Sequence, residues 1–285
     1  MRIYIPNQSK QSVGGGWTFI RNFTKYAERA GAEFIRDYHV QKGDIYLISG
    51  ATMIERKFVE EAKKAGMKIV LRVDNAPKNS RNRNTGTSRL KDFADMADLI
   101  VYQSYWAKQY LAPWLGQEGK KPETIIMNGA DTDIFNTQGA KQLKEGVRQY
   151  LYAQYNRDDT KRWHEAWYHF SRSFRDHPDA HLWIVGNFSP EQQEYNFDFF
   201  MDEKYRYIGV LEPADFAEYL RATDVLLIPY YNDACSNTLI EARLCGVPKI
   251  RANSTGGNIA IMKAPLEHLS ADRMAKEYLE AFSAL

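Results

Sequence analysis

Asp224-Val-Leu-Leu-Ile-Pro-Tyr230, the loop Tyr231-Asn-Asp-Ala-Cys-Ser236 and the run Asn237-Thr-Leu-Ile-Glu-Ala-Arg-Leu-Cys-Gly-Val-Pro248 decide the fold of this chain. Val225 to Ile228 is an unbroken apolar run with no polar alternation, which reads as a strand buried on both faces. The small polar residues after it predict a loop. A helix is expected over Asn237–Cys245, with Ser236 or Asn237 as its N-cap. The next strand is expected at Pro248–Arg251. Strand, loop, helix and strand in this order are the unit of a parallel sheet.

Working outward, the same alternation fills the chain. Before a polar interval at about Asp131–Val147, strands are predicted at Ile3–Pro6, Asp44–Ser49, Lys68–Asp74, Leu99–Ser104 and Thr124–Asn128. Helices are predicted between them at Trp17–Ala30, Thr52–Ala65, Ser88–Ala97 and Tyr105–Trp114. Gly31 and Gly66 follow two of these, as helix C-termini favour. After the interval, strands are expected at Gln149–Gln154, His181–Val185, Tyr205–Ile208, Val225–Pro229 and Pro248–Arg251, with helices at Lys161–Asp176 and Pro213–Ala222. Pro265–Ala284 reads as a last amphipathic helix. The expected architecture is α/β with two Rossmann-like domains: 1–147, 148–264, and a tail 265–285 packing back on the first domain. Ligands of open parallel sheets sit beyond the carboxyl ends of strands, so two such units facing each other would form a cleft for two substrates.

The composition fits this. The chain has 285 residues, 44% of them hydrophobic, enough for a substantial core and against general disorder. A net charge of +2 excludes an overall polycation. The two cysteines, Cys235 and Cys245, lie in one loop-helix stretch and suit a reducing compartment. No apolar run approaches the roughly 20 residues of a membrane span, and Met1-Arg-Ile-Tyr-Ile-Pro6 opens as a strand rather than a signal peptide. A cytoplasmic protein is expected, and the sequons at Asn7, Asn22, Asn187 and Asn253 carry little weight. In His164-Glu-Ala-Trp-Tyr-His169, five steps of about 100° separate the two histidines, so they do not share a helix face for zinc. No metal site is expected.

The chemistry concentrates after the strand at 224–230. The free backbone N–H groups and positive end of a helix starting near Ser236 and Asn237 suit a diphosphate. Glu241, one turn in, is placed to accept two hydrogen bonds from a ribose diol. A plain strand-loop-helix with a capping residue and a solvated glutamate fits the same residues. Asp74 and Asn75 end another strand, where a carboxylate would orient an acceptor hydroxyl or support positive charge at a reacting carbon. Lys78-Asn-Ser-Arg-Asn-Arg-Asn-Thr-Gly-Thr-Ser-Arg89 has four bases and no acid, including Arg81 and Arg83. It reads as an exposed loop or as one that binds a phosphorylated acceptor.

Asp233, seven intervening residues, Glu241, Ala242, Cys245, Gly246 and Pro248 resemble the donor-site signature of family 4 retaining glycosyltransferases, which have the GT-B fold of two Rossmann-like domains about a central cleft. Gly14-Gly-Gly-Trp17, Ala97-Asp-Leu-Ile-Val-Tyr-Gln-Ser104, Ile125-Ile-Met-Asn-Gly-Ala-Asp-Thr-Asp-Ile-Phe135, Leu182-Trp-Ile-Val-Gly186, Tyr207-Ile-Gly209 and Thr255-Gly-Gly257 follow in the family's order. The resemblance implies sugar transfer from a nucleoside diphosphate sugar, UDP-sugar foremost, to an acceptor hydroxyl, without a metal or other cofactor. Donor contacts fall to Gly15, Gly16, Arg157, Lys161, Cys235, Ser236, Asn237, Thr238 and Glu241. Asp233 would lie beside the donor sugar. Asp74 stands where relatives often carry a histidine and is read as catalytic with Asp233, and Asn75, Arg81 and Arg83, from the residues alone, as acceptor-binding. Asp233 is shorter than the family's glutamate, and Arg162 stands where the family has a glycine. The acceptor would be a glycan, a lipid-linked sugar, a protein or modified DNA. A nucleotide-sugar-binding module without turnover, or an epimerase-like enzyme, is the rival.

Overall fold

Apolar runs without alternation require cover on both faces, and in the computed structural model they have it. The structure describes residues 1–6, 14–35, 42–51, 54–74, 83–154, 161–188 and 202–285, with the side chains of 83–88 and 154 outside this description. In chain order the first elements are β1 (Arg2–Tyr4), α1 (Gly15–Arg29), β2 (Glu33–Phe34), β3 (Ile45–Ile48), α2 (Arg56–Lys64), β4 (Lys68–Val73), α3 (Arg83–Met96), β5 (Leu99–Tyr102), α4 (Tyr105–Leu115) and β6 (Glu123–Ile125). They continue with β7 (Arg148–Gln154), α5 (Trp163–Ser171), β8 (Ala180–Gly186), β9 (Tyr205–Gly209), α6 (Pro213–Ala222), β10 (Val225–Ile228), α7 (Asn237–Leu244), β11 (Lys249–Ala252), α8 (Asn258–Lys263) and α9 (Ala271–Ser283). The chain divides into two compact units: Met1–Asp131 with Asp233–Asn237 and Ile259–Leu285, and Thr132–Asn232 with Thr238–Asn258.

In the first unit the sheet order is β2-β1-β3-β4-β5-β6, all parallel. Alternate residues of each strand feed different cores. Tyr46, Ile48, Ile69, Leu71, Val73, Ile100 and Tyr102 join residues of α2, α3 and α4 on one face. Ile45, Leu47, Val70, Leu99 and Val101 join α1 and α9 on the other. The period-two pattern therefore vanishes from the sequence although the strands remain pleated. Phe23 and Tyr278 meet at 5.2 Å between ring centroids and fasten α9 to α1. The entry to α9 is fixed by Ser270, whose side chain accepts from the Arg273 N–H, and by a parallel bridge between Ala130 and Ser270. A Cβ on Gly129 would lie 2.2 Å from the Ser270 carbonyl oxygen, so this approach requires glycine.

In the second unit the order is β11-β10-β7-β8-β9, again parallel. β7 and β8 pair along their whole length, from Arg148↔Ala180 to Gln154↔Gly186.

Several boundaries differ from the sequence reading. β2 and α8 are short additions. The helix expected over Lys161–Asp176 is α5 followed by a 3-10 turn at Arg172–Arg175. The last helix divides into a 3-10 turn at Leu266–Leu269 and α9, because Ser270 caps between them. The units change over at 131/132, the amino end of the polar interval. The polar interval docks on the second unit instead of linking: Arg221 Nε donates to the Ala140 carbonyl at 2.7 Å, and Lys144 pairs with Asp224 at 2.6 Å. The tail that returns to the first unit begins at Ile259, before the expected 265.

Candidate functional site

The loop 233–237 belongs to the first unit, where Asn128 organises it. Asn128 Nδ2 donates to Asn237 Oδ1 at 2.9 Å and to the Cys235 carbonyl at 3.4 Å. Its Oδ1 accepts from Arg72 Nη2 at 3.1 Å. Arg72 is 2% exposed; its Nη1 donates to the Ser49 carbonyl at 2.8 Å and its guanidinium lies 4.1 Å over the Phe19 ring. Among the described residues Arg72 has no carboxylate partner. A buried cation held by neutral acceptors leaves a positive potential in its surroundings.

The same network reaches the glycine-rich segment. Asn237 Nδ2 donates to the Gly15 carbonyl at 3.4 Å. Gly14, with φ 138, precedes α1 without a side-chain cap, and the first turn carries no acid. Its first N–H groups, from Gly15 on, therefore have no side-chain acceptor from the cap. In the loop itself, Asp233 Oδ1 accepts from the Cys235 N–H at 3.2 Å. Cys235 and Ser236 are buried. Burial pushes the Cys235 thiol up to about 12, so it is no nucleophile near neutral pH.

In the second unit α7 continues from Thr238, and Thr238 and Glu241 are both buried. A carboxylate 7% exposed one turn into a helix differs from the solvated glutamate of the plain alternative. Beside it in the sheet, β7 and β10 are neighbours. At their carboxyl ends Lys161 Nζ lies 3.9 Å over the Tyr230 ring, and Tyr152 Oη donates to the Lys161 carbonyl at 3.1 Å. Arg162 has φ 53 and ψ 59, the left-handed conformation that glycine adopts freely. Its guanidinium pairs with Glu165 and lies 4.7 Å over the Tyr231 ring. The loop after β11 joins the same end: Asn232 N–H donates to Thr255 Oγ1 at 3.2 Å, and Asn258 Nδ2 donates to the Asn253 carbonyl at 3.1 Å. Asn258 is fully buried, and its Oδ1 has no partner among the described residues.

Of the residues singled out in the sequence, Gly15, Asp233, Cys235, Ser236 and Asn237 thus lie in or beside one network in the first unit, and Gly16 follows in the first turn of α1. Lys161, Thr238 and Glu241 lie in the second unit. Asp74 is half-buried at the end of β4, after Val73, whose carbonyl accepts from Gln103 Nε2 at 2.9 Å. Asn75, Arg81 and Arg157 lie outside the described residues, and Arg83 begins α3 with its side chain also outside. Arg72 and Asn128 were not foreseen. The signal for Arg72 was present, a lone charge inside the apolar run of β4. Asp131, of Asp131-Thr-Asp133, is held by Lys25 at 2.5 Å and Tyr26 at 2.7 Å. Among the described residues no cluster of three metal-type side chains occurs, and no helix is long and apolar enough to cross a membrane.

Residues 151–285 match the family model described as glycosyl transferases group 1. No curated protein matches the chain by sequence. Among solved structures, sucrose-phosphate synthase from Thermosynechococcus elongatus aligns with a TM-score of 0.64 at 17% identity, over 100% of this chain and 94% of that one. A GtfA/B complex aligns at 0.60 and 13% identity, over 94% of this chain, which spans only 60% of that chain's length. The pneumococcal O-GlcNAc transferase GtfA, in complex with UDP and GlcNAc, aligns at 0.55 and 14% identity, over 90% and 51%. At such identities the likeness establishes the fold: two parallel α/β sheets of the GT-B type.

Proposed function

We propose that this chain is a glycosyltransferase that moves a sugar from a nucleoside diphosphate sugar, UDP-sugar foremost, to an acceptor hydroxyl with retention at the anomeric carbon. The buried Glu241 near the start of α7, inside the segment that matches glycosyl transferases group 1, carries this reading. In it, Glu241 accepts from the two ribose hydroxyls, and the main-chain N–H groups at Ser236–Thr238 hold the diphosphate. Lys161 and Arg157 neutralise charge on the leaving group. Arg72 adds a buried positive charge to the loop that carries Ser236 and Asn237. The bond from the anomeric carbon to the diphosphate oxygen breaks as the bond to the acceptor oxygen forms, and the acceptor proton passes to the departing phosphate. Asp74 orients the acceptor hydroxyl, Asp233 lies by the donor sugar, and Asn75, Arg81 and Arg83 hold the acceptor. With cations and N–H groups on the diphosphate, no metal is required. The engagement of Asp131 by Lys25 and Tyr26 supports this reading.

A panel of UDP-, GDP- and ADP-sugars in thermal melts tests the donor assignment. A ligand at 100 times its Kd adds about 2.7 kcal/mol, or a rise of several degrees. Glu241→Ala removes that rise. If no nucleotide sugar raises the melting temperature, the proposal fails. Donor binding without turnover over many acceptors would instead favour the binding module, and an altered sugar released without any acceptor would favour an epimerase.

A further inference from the structure

The second unit has a cavity of about 380 Å³ at the amino-terminal edge of its sheet. This is the opposite end from the strand ends that carry Lys161 and Tyr230. Arg148 opens β7, Lys249 and Arg251 come from β11, and Arg172 and Arg175 come from the 3-10 turn after α5. His169, His177, Tyr150, Tyr168 and Ser173 also line it, and Asp176 is its one carboxylate.

Among the described residues none of the five cations forms an ion pair. Arg172 Nη1 donates to Tyr168 Oη at 2.8 Å, and Arg148 contacts His177 Nε2. Elsewhere in this unit Lys144, Arg162 and Arg206 each have a carboxylate. Arg172 and Arg175 follow the end of a helix, where its dipole favours cations. That accounts for two of the five. Arg148, Lys249 and Arg251 stand on strands and gain nothing from it. Five like charges against one carboxylate repel one another unless an anion joins them.

We propose that this cavity is a second binding site, distinct from the donor site, for a small phosphorylated molecule carrying two or more negative phosphate charges. The volume is that of a small-molecule pocket. The guanidinium groups supply paired donors for phosphate oxygens, and the exposed Tyr168 offers a ring to the rest of the ligand.

Calorimetric titration of the full chain with inorganic pyrophosphate at fixed ionic strength tests this, in the wild type and in Lys161→Gln. The second background weakens any binding at the donor site. In both, K249Q/R251Q and R172Q/R175Q are each expected to weaken binding by about tenfold or more, since each lost bond to a charged group is a large fraction of the affinity. The replaced side chains are at least partly exposed, so thermal melts of both variants should match the wild type and exclude misfolding. The proposal is overturned if neither pair changes the affinity, if Lys161→Gln alone abolishes binding, or if millimolar pyrophosphate gives no heat. It is equally overturned if a short DNA duplex binds through these residues while pyrophosphate does not, which would make the surface a polymer contact.

Discussion

Replacing Asn128 by alanine should unfasten the loop 233–237, which carries residues proposed above to bind the donor. The side chain makes a 2.9 Å bond to Asn237, a longer 3.4 Å contact to the Cys235 carbonyl, and accepts 3.1 Å from the buried Arg72. The neutral bond at good distance is worth about 0.5–1.5 kcal/mol, and the one to the guanidinium about 1.5–3 kcal/mol. The 3.4 Å contact adds little. Arg72 retains the Ser49 carbonyl and the Phe19 ring, while its Nε is already without a partner. The expected loss is therefore about 3 kcal/mol, or roughly 6–12 °C in Tm for a unit of this size. Urea melts followed by far-UV circular dichroism measure it. Asn128→Asp keeps an acceptor for Arg72 and should lose less, yet it neutralises that cation and should weaken donor binding more than its stability change suggests. A loss under about 1 kcal/mol for the alanine variant would refute the network as the organiser of the loop.

Three further outcomes follow from the geometry. Arg162→Gly and Arg162→Ala both lose the Glu165 pair and the Tyr231 contact, but only glycine relieves the left-handed backbone, so in thermal melts glycine should be the more stable by about 1 kcal/mol. Gly129→Ala drives a methyl into the Ser270 carbonyl and should cost at least 1–3 kcal/mol, roughly the range for overpacking; limited proteolysis should then cut ahead of α9, and an unchanged digest would count against the close approach. Both thiols are pushed by burial from 9.0 up to about 12, so the protonated form is favoured by folding. Stability is fully present below pH 9 and falls towards pH 12, by up to about 1.4 kcal/mol per pH unit for each thiol. Denaturant melts at pH 8 and 10 should record this, and C235A/C245A should flatten it.

Much of the fold was legible because each βα unit announces itself locally. The run at 225–228 and the helix from Asn237 are examples, since an apolar strand and the small polar residues ahead of a helix act within a few positions. The unit to which the polar interval belongs was not legible, because the polarity of 132–147 suits a linker and a docked strap equally. What decides is the reach of Arg221 to Ala140, across the sequence. The candidate site divides in the same way. The spacing of Asp233 and Glu241 is local and could be read directly. The roles of Arg72 and Asn128 come from hydrogen bonds to residues far along the chain, and only the odd charge in β4 hinted at one of them.

The docking of α9 on α1 has a consequence for how the protein is made. The apolar face of α1, with Phe19 and Phe23, is synthesised early, and Tyr278 and Phe282, which cover it, come some 250 residues later. At 5–20 residues per second a ribosome takes roughly ten seconds or more to supply them. Throughout that time the side of the first sheet that α1 shares with α9 stands only partly covered, so the nascent chain presents an aromatic surface to chaperones or to its neighbours on the same message. Moving residues 259–285 ahead of β1 by circular permutation would shorten that wait and should raise the soluble yield at high expression.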